Sequence, residues 1–581
     1  MRRTTTHSCF ASQEKHSDEK GANLIDSALV HPTCMRARWK SRLPLVAILA
    51  VAVAVRLTGI GFGRGLIGIH PDEGGVTVAL RELHAGRPSF YLFAYGGGYI
   101  IPLYAFLRLW ILFGWPNALA PPPMTLGDFA GVFDVILPGR FWSVLLSSLT
   151  VWLVYLTGKR IARRETGLLA AAFLAASNLA VRDAHMAKAD SAATFCMALV
   201  LFGLAYRWAA PTRRAWILGM IGGLALSTKY LVGALPALLW RLATPMSAQR
   251  QRRIDGRGLA LGLIAIGLTF LAFNPYWLAS PGRAYTSLQA LLHSQSWLMN
   301  TPSFRGTSPG PAAYHARISL RHGCGLAFAL LSLPALLLGL YRSGTPRLIA
   351  LVGLGHAIVI CANPLLLARN FEPIVPVLSV LIALLVSEAL DRLRFVGARR
   401  MVVAVLIGTA VVAEPLHTSI LWGLRMREPD TRQLAADWIA SNVPADVGVV
   451  TFGGAWDALD WGMPVECFAW SAANPDRLAI KCALSKVRLY SRLPRTRWRE
   501  NNVGLLYWYN YPLPFSQEPL PPEASGGELL ATFDPFGQPR REVIVEPYDA
   551  FYFPLDGIDG VKRPGPLIQI YRLPSDARPA R

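Results

Sequence analysis

Charge is scarce in this sequence. Only 16% of its 581 residues are Asp, Glu, Lys or Arg, whereas 53% are hydrophobic. A soluble domain carries roughly 25% charged residues, so a soluble protein of this length is excluded. Strict alternation of apolar and polar residues is also missing, which excludes a transmembrane β-barrel. There are seven cysteines, and none has the Cys/His spacing of a zinc site. No internal repeat is present. Acids are fewer than bases, 36 against 58, for a net charge of +22. In a soluble protein that excess would suggest nucleic acid. Here the arginines cluster at the ends of apolar runs, which points to membrane topology and anionic lipid and to no nucleic-acid partner.

The apolar residues come in solid runs of roughly 17–22, and about 20 helical residues cross the hydrocarbon core. The expected architecture is an all-α polytopic membrane domain followed by a small extracytoplasmic α/β domain. Residues 1–42 read as a disordered cytoplasmic N-terminus. Within them, 1–34 lack periodicity and resemble neither a signal peptide nor a folded domain. Met35 is expected to be the true start, because Arg36, Arg38, Lys40 and Arg42 follow it directly, and this basic cluster places the end in the cytoplasm.

Applied to every run in turn, the positive-inside rule gives about eleven spans over residues 43–422 of a multi-pass inner-membrane protein. They lie near 43–60, 138–157, 166–181, 191–208, 215–228, 231–243, 258–274, 324–341, 348–364, 373–390 and 401–422. The stretch 99–115 breaks the parity if it crosses. It is therefore expected along the outer interface, where its aromatics and Arg108 are tolerated. The short runs 215–228 and 231–243 suggest a hairpin whose tip stops below the outer surface. Residues 275–323 read as a long outer loop rich in aromatics, which serve as interface belt residues or cover a lipid or sugar. From 425 to 581 the apolar runs shorten. A helix is expected over 431–441, and strands at 447–452, 543–545 and 567–571. Cys467 and Cys482 fall on the oxidising side, where they can pair or remain two buried thiols.

With that topology the unusual ionisable residues all share the outer face. Asp72 and Glu73 follow the first span, in His70-Pro-Asp-Glu-Gly-Gly75. Arg140 opens the next span. Asp183, His185, Lys188 and Asp190 precede another, Lys229 and Tyr230 mark the hairpin tip, and Arg369 precedes a late span. Each one alone reads as a snorkelling end or a helix cap, with Asp72 as the N-cap of a surface helix. Together, acids and bases at one interface suggest a site that handles an anion and a proton.

Four stretches resemble motifs of the GT-C-fold membrane glycosyltransferases, close to bacterial relatives of the protein O-mannosyltransferases and of the aminoarabinose transferase that modifies lipid A. His70-Pro-Asp-Glu73 resembles the Asp-Glu motif of the first outer loop. Ala184-His-Met-Ala-Lys-Ala-Asp190 resembles the second outer acidic motif, and Gly223-Leu-Ala-Leu-Ser-Thr-Lys229-Tyr the Thr-Lys hairpin tip. Ala368-Arg369-Asn-Phe-Glu-Pro373 resembles the Arg-containing segment before a late span, with Asn370 where an aromatic is more usual. The resemblance covers roughly residues 40–420. It implies a polyprenyl- or dolichyl-phosphate sugar donor, an acceptor in the cell envelope and inversion at the anomeric carbon.

A single displacement needs one base, expected to be Asp72, with Glu73 orienting acceptor or base. The phosphate leaving group needs fixed positive charge, expected from Lys229 and Arg369. Asp190 can take sugar hydroxyls, the acceptor or, with His185, a divalent metal. Arg140, His185, Lys188 and Tyr230 are supporting residues. Two readings compete: a transporter or flippase of a lipid-linked saccharide, which would favour mid-membrane charges and inverted repeats, and a non-catalytic envelope-assembly protein.

Overall fold

The computed structural model describes residues 32–64, 66–67, 70–86, 90–117, 119, 132–206, 208–245, 254–300, 310–363, 366–444, 446–453, 463–464, 488–491, 495–498, 500–513, 516–537, 539–546 and 552–574. Residues 1–31, Cys467 and Cys482 lie outside these, as does Phe304 of the aromatic stretch.

Each apolar run folds as helix because only a helix satisfies its own backbone in an apolar medium. The first, α1 (Pro32–Leu57), leads to a turn and to α2 (Pro71–His84). His70 caps α2, its ring accepting from the Asp72 N–H at 3.2 Å. The cap is thus His70 and not Asp72, because Pro71 lacks an N–H and its fixed φ suits the first helical position. Next come α3 (Phe90–Tyr95), α4 (Gly97–Leu112) and α5 (Val132–Ile161). The run expected at 166–181 is broken. It forms α6 (Arg164–Ala176) and α7 (Asn178–Ala184), bent by 60° at the non-helical Ser177.

The chain continues through α8 (Asp190–Ala205) and α9 (Pro211–Ser227). A single turn, Val232–Ala234, runs into α10 (Leu235–Ala243), and α11 (Gly256–Phe273) follows. The expected loop 275–323 is largely helical instead. It holds a short turn at Tyr276–Ala279, α12 (Pro281–Asn300) and helical turns over 311–324. Leu288, Gln289, Ala290, Leu291 and Leu292 are strong helix formers, and their propensity makes helical a stretch expected as loop because it joins two apolar runs. The membrane part ends with α13 (Leu326–Tyr341), α14 (Thr345–Ala362), a tight 3₁₀ turn (Ala368–Ile374) into α15 (Val375–Arg392), and α16 (Gly397–Arg425).

Among the described residues, five helices are long and apolar enough to cross a membrane, six if the bent α6–α7 pair counts as one span. Helices α4, α8 and α13 are apolar but shorter. The protein is a mostly helical, multi-pass membrane protein.

Close packing rests on small residues. Gly219 and Gly223, one turn apart on α9, face Gly262 and Ile266 of α11, where an added Cβ would fall 2.5 Å from a backbone carbonyl oxygen. Without a hydrophobic force between helices in lipid, such close backbone approach supplies the contact energy. The same device seats α4. Added Cβ atoms on Gly96, Gly97 and Gly98 would lie 2.2 Å from Ser227 O, 1.7 Å from Phe273 O and 2.4 Å from Thr228 Oγ1.

Beyond α16, α17 (Thr431–Asn442) packs Ala435 and Ile439 on one face of a five-stranded mixed sheet. The strand order is β4 (Arg488–Ser491), β2 (Gly448–Phe452), β5 (Val503–Asn510), β7 (Leu567–Arg572), β6 (Glu528–Phe533). Strand β2 is parallel to β4 and β5, while β7 runs antiparallel to β5 and β6. A two-residue ladder joins β1 (Leu66–Ile67) to β3 (Met463–Pro464). The strand expected at 543–545 is only a single bridge, Ile544 to Asp556. Pro539 and Pro547 flank it, and proline cannot donate to a ladder.

A Gly97→Ala substitution cannot be relieved by a side-chain rotation, because the atom it meets is a backbone carbonyl. The expected cost is at the top of the overpacking range, about 3 kcal/mol. Thermal unfolding of the purified protein should fall well below that of the parent, and an unchanged melting temperature would refute the packing.

Candidate active site

Four turns meet on one side of the bundle: the start of α2, the residues between α7 and α8, the tip between α9 and α10, and the 3₁₀ turn before α15. They bring together the ionisable residues singled out in the sequence.

Glu73 and Arg140 form the innermost pair. Arg140 donates from Nε and Nη2 to the two Glu73 oxygens, each at 2.8 Å, and both side chains are buried. Glu73 also accepts from the Ala187 N–H at 2.9 Å. The remaining guanidinium nitrogen of Arg140 donates to the carbonyls of Ile60 and Phe62, and the group lies 3.7 Å from the centre of the Phe62 ring. Glu73 is thus occupied by the protein itself.

Asp72, one residue earlier, points the other way. Its Oδ2 is 3.1 Å from Arg369 Nη2, and its Oδ1 accepts from the Tyr95 hydroxyl at 3.2 Å. Burial alone would raise its pKa. Arg369, His70 and Lys188 outweigh that effect and hold the carboxyl below the usual aspartate value.

Asp190 opens α8. It pairs with Lys229 through Oδ1 and lies 3.7 Å from Lys188 through Oδ2. Lys188 in turn is 2.8 Å from Asp183. Lys229 Nζ also donates to Asn370 Oδ1 at 3.1 Å. Asn370, which departs from the usual aromatic, therefore takes part in this network. Its carbonyl is also 3.2 Å from His356 Nε2. The hairpin tip is strained, with φ of +57° at Lys229 and +50° at Tyr230, a region that bulky residues rarely enter. The Tyr230 hydroxyl, donating to the Phe93 carbonyl at 2.7 Å, ties the tip to α3.

His185 lies aside from this chain of pairs. Its Nδ1 is 2.8 Å from the Val181 carbonyl and its Nε2 2.8 Å from the Thr58 carbonyl. Both nitrogens are engaged by backbone. Among the described residues, no three His, Cys, Asp or Glu side chains are grouped so as to hold a metal.

Two further carboxylates belong to the site. Glu372 is fully buried, and its two oxygens have no hydrogen-bond partner among the described residues. It sits inside the Arg369 motif, so a carboxylate one turn into a helix beside an arginine was the available signal. Glu546 of the C-terminal domain reaches the site from the other side, donated to by Arg182 Nη1 and by the Ala368 N–H, each at 2.6 Å. Nothing near it in the sequence signals this.

A family model described as dolichyl-phosphate-mannose-protein mannosyltransferase matches residues 129–277, about a quarter of the chain. That segment includes Arg140, His185, Lys188, Asp190, Lys229 and Tyr230. The motif resemblance to the protein O-mannosyltransferases agrees with this match over that segment. Among solved structures, the chain is similar to ArnT from Cupriavidus metallidurans bound to undecaprenyl phosphate. There the identity is 14%, the coverage 80% of this chain and 93% of that one, and the TM-score 0.47. It is similar also to the archaeal oligosaccharyltransferase AglB from Archaeoglobus fulgidus in complex with an inhibitory peptide and a dolichol-phosphate, with 13% identity, 81% and 70% coverage and a TM-score of 0.44. With the mycobacterial arabinofuranosyltransferase AftD the identity is 15% and the TM-score 0.41, and the chain covers 40% of that protein. No curated protein matches the chain.

Geometry separates the two adjacent carboxylates. Glu73→Gln leaves Arg140 buried without its counter-charge, which costs about 3–5 kcal/mol for such a pair. Asp72→Asn touches a part-exposed group and should leave stability near the parent value. Thermal melting of the two purified variants checks this, and equal melting temperatures would contradict the assignment.

Proposed function

We propose that this chain is an inverting glycosyltransferase that moves a sugar from a polyprenyl-phosphate donor to a cell-envelope acceptor on the extracytoplasmic face. The observation that carries the reading is the pattern of solvent access within the charged network. Asp72 is 20% exposed, Lys229 28% and Arg369 14%, while Glu73, Arg140, Asp183, Lys188 and Asp190 are at 3% or less. One carboxylate and two cations are thus presented together, held by a buried frame of paired charges.

That trio suits the chemistry. The acceptor oxygen or nitrogen attacks the anomeric carbon from the face opposite the phosphate. The bond from that carbon to the phosphate oxygen breaks, and its electron pair leaves with the phosphate. Lys229 and Arg369 balance the charge that develops there. Asp72 takes the acceptor proton. Each of the two cations is paired with a carboxylate, Lys229 with Asp190 and Arg369 with Asp72. A phosphate arriving between them competes for both. As Arg369 turns to the phosphate, Asp72 loses the partner that lowers its basicity, so donor binding would raise the strength of the base. Glu73 and Arg140 hold the turn that presents Asp72, and Tyr230 and Asn370 hold the Lys229 tip. Lys188 and Asp183 anchor Asp190 from below.

A kinetic comparison with purified lipid-phosphate sugar tests the roles. Asp72→Asn should lower turnover by roughly 10²–10⁴-fold, the range of a general base, with donor binding largely kept. Lys229→Ala and Arg369→Ala should instead weaken donor binding. Near-parent turnover in Asp72→Asn would remove it as the base, and unchanged donor affinity in both cation variants would remove the phosphate role.

The outer placement of the site is tested separately. Glu428 is exposed just beyond α16, and a cysteine placed there (Glu428→Cys) should react with a membrane-impermeant maleimide in intact cells. Labelling only after permeabilisation would put the site in the cytoplasm.

A further inference from the structure

The C-terminal domain meets the membrane domain through an apolar contact. Tyr511, Leu513, Tyr552 and Phe553 cluster with Phe62, Met186 and Trp422. Polar ties flank it, with Asn178 donating to the Leu555 carbonyl and His322 2.7 Å from Asp556. These contacts suffice to dock a domain. Glu546 does something more specific.

Its carboxylate is buried, 2% exposed, at the junction. A charge is costly to bury unless it is paired and hydrogen-bonded, and here its two oxygens serve two different elements. Oε2 accepts from Arg182 Nη1, and Oε1 accepts from the Ala368 N–H, both at 2.6 Å. Arg182 lies in the last turn of α7, just before the segment that carries His185, Lys188 and Asp190. Ala368 is the first residue of the 3₁₀ turn and immediately precedes Arg369. One side chain of the outer domain thus spans the two turns that hold Asp190 and Arg369. The Ala368 N–H belongs to the first residue of a helical turn, so it has no carbonyl partner within that turn.

We propose that Glu546 is a positioning residue, by which the C-terminal domain fixes the separation of the Arg369 turn and the Asp183–Asp190 turn. The functional half of this rests on the donor-phosphate reading above; the structural half does not. On this view the outer domain is a working part of the site, and anything that pulls it away from α7 loosens the grip on a lipid phosphate.

The experiment uses the full-length protein in detergent and two readouts: amide hydrogen exchange of the peptide covering 366–374, and binding of undecaprenyl phosphate as the probe. Glu546→Gln keeps the size and one acceptor oxygen but removes the charge. It should speed exchange over 366–374 by about tenfold and weaken probe binding by a similar factor, the loss of one charge-assisted hydrogen bond. In an Arg369→Met background it should cause no further loss of binding. Asp556→Asn, which cuts a different tie of the same domain, should leave both readouts unchanged.

Unchanged exchange in Glu546→Gln would overturn the proposal, and so would an equal rise in Asp556→Asn, since that would signal only weaker docking. If Glu546→Gln does not fold, Glu546→Asp, one methylene shorter, is held to the same two outcomes. If the parent protein does not bind undecaprenyl phosphate while Glu546→Gln still speeds exchange, the donor reading falls and the positioning of the turn stands.

Discussion

Arg140 can be kept inside this protein only because Glu73 faces it. A guanidinium and a carboxylate, each costly to bury alone, are retained when the geometry is bidentate and every guanidinium nitrogen is hydrogen-bonded. Both conditions hold here. The pair joins the start of α2 to α5, the Ala187 N–H ties the turn before α8 to the same carboxylate, and the carbonyls of Ile60 and Phe62 complete the set. Three stretches far apart in the chain are thereby locked at one point. Asp72, next to Glu73 on α2, is presented outward as a consequence.

From that anchor the charges alternate. Asp72 meets Arg369; Asn370 beside it meets Lys229; Lys229 meets Asp190; and Lys188 lies between Asp190 and Asp183. In a low-dielectric interior such alternation is what allows many ionisable groups to be held close together. The hairpin tip that supplies Lys229 is held in a left-handed conformation, and such strain persists only where surrounding contacts impose it. Those contacts are the Tyr230 hydroxyl on α3 and the two glycines, Gly96 and Gly98, that let the start of α4 press against Ser227 and Thr228. Small residues in one helix thus fix a charged residue on another.

The C-terminal domain is joined to this arrangement as well. Met186, within the turn between α7 and α8, packs among its aromatics, and Glu546 reaches under the Arg369 turn. A membrane domain whose turns are satisfied by a soluble domain gains acceptors that lipid could not provide.

Much of this was legible in the chain itself. Hydrophobic runs and turn residues placed most of the long apolar helices to within a few residues, because burial of a helix in lipid depends on local composition, although α1 begins at Pro32, inside the stretch expected to be disordered. The positions of Asp72, Asp190, Lys229 and Arg369 at the ends of those runs followed from the same pattern. The sequence did not determine the break at Ser177, the helical character of 281–300, or which of two neighbouring carboxylates is spent on structure. It did not reveal Glu372, Asn370 or Glu546 as parts of the site either. Periodicity reports which residues share a helix face. It cannot report which charge meets which across elements hundreds of residues apart, and the partners of buried charges were decided only when the four turns came together.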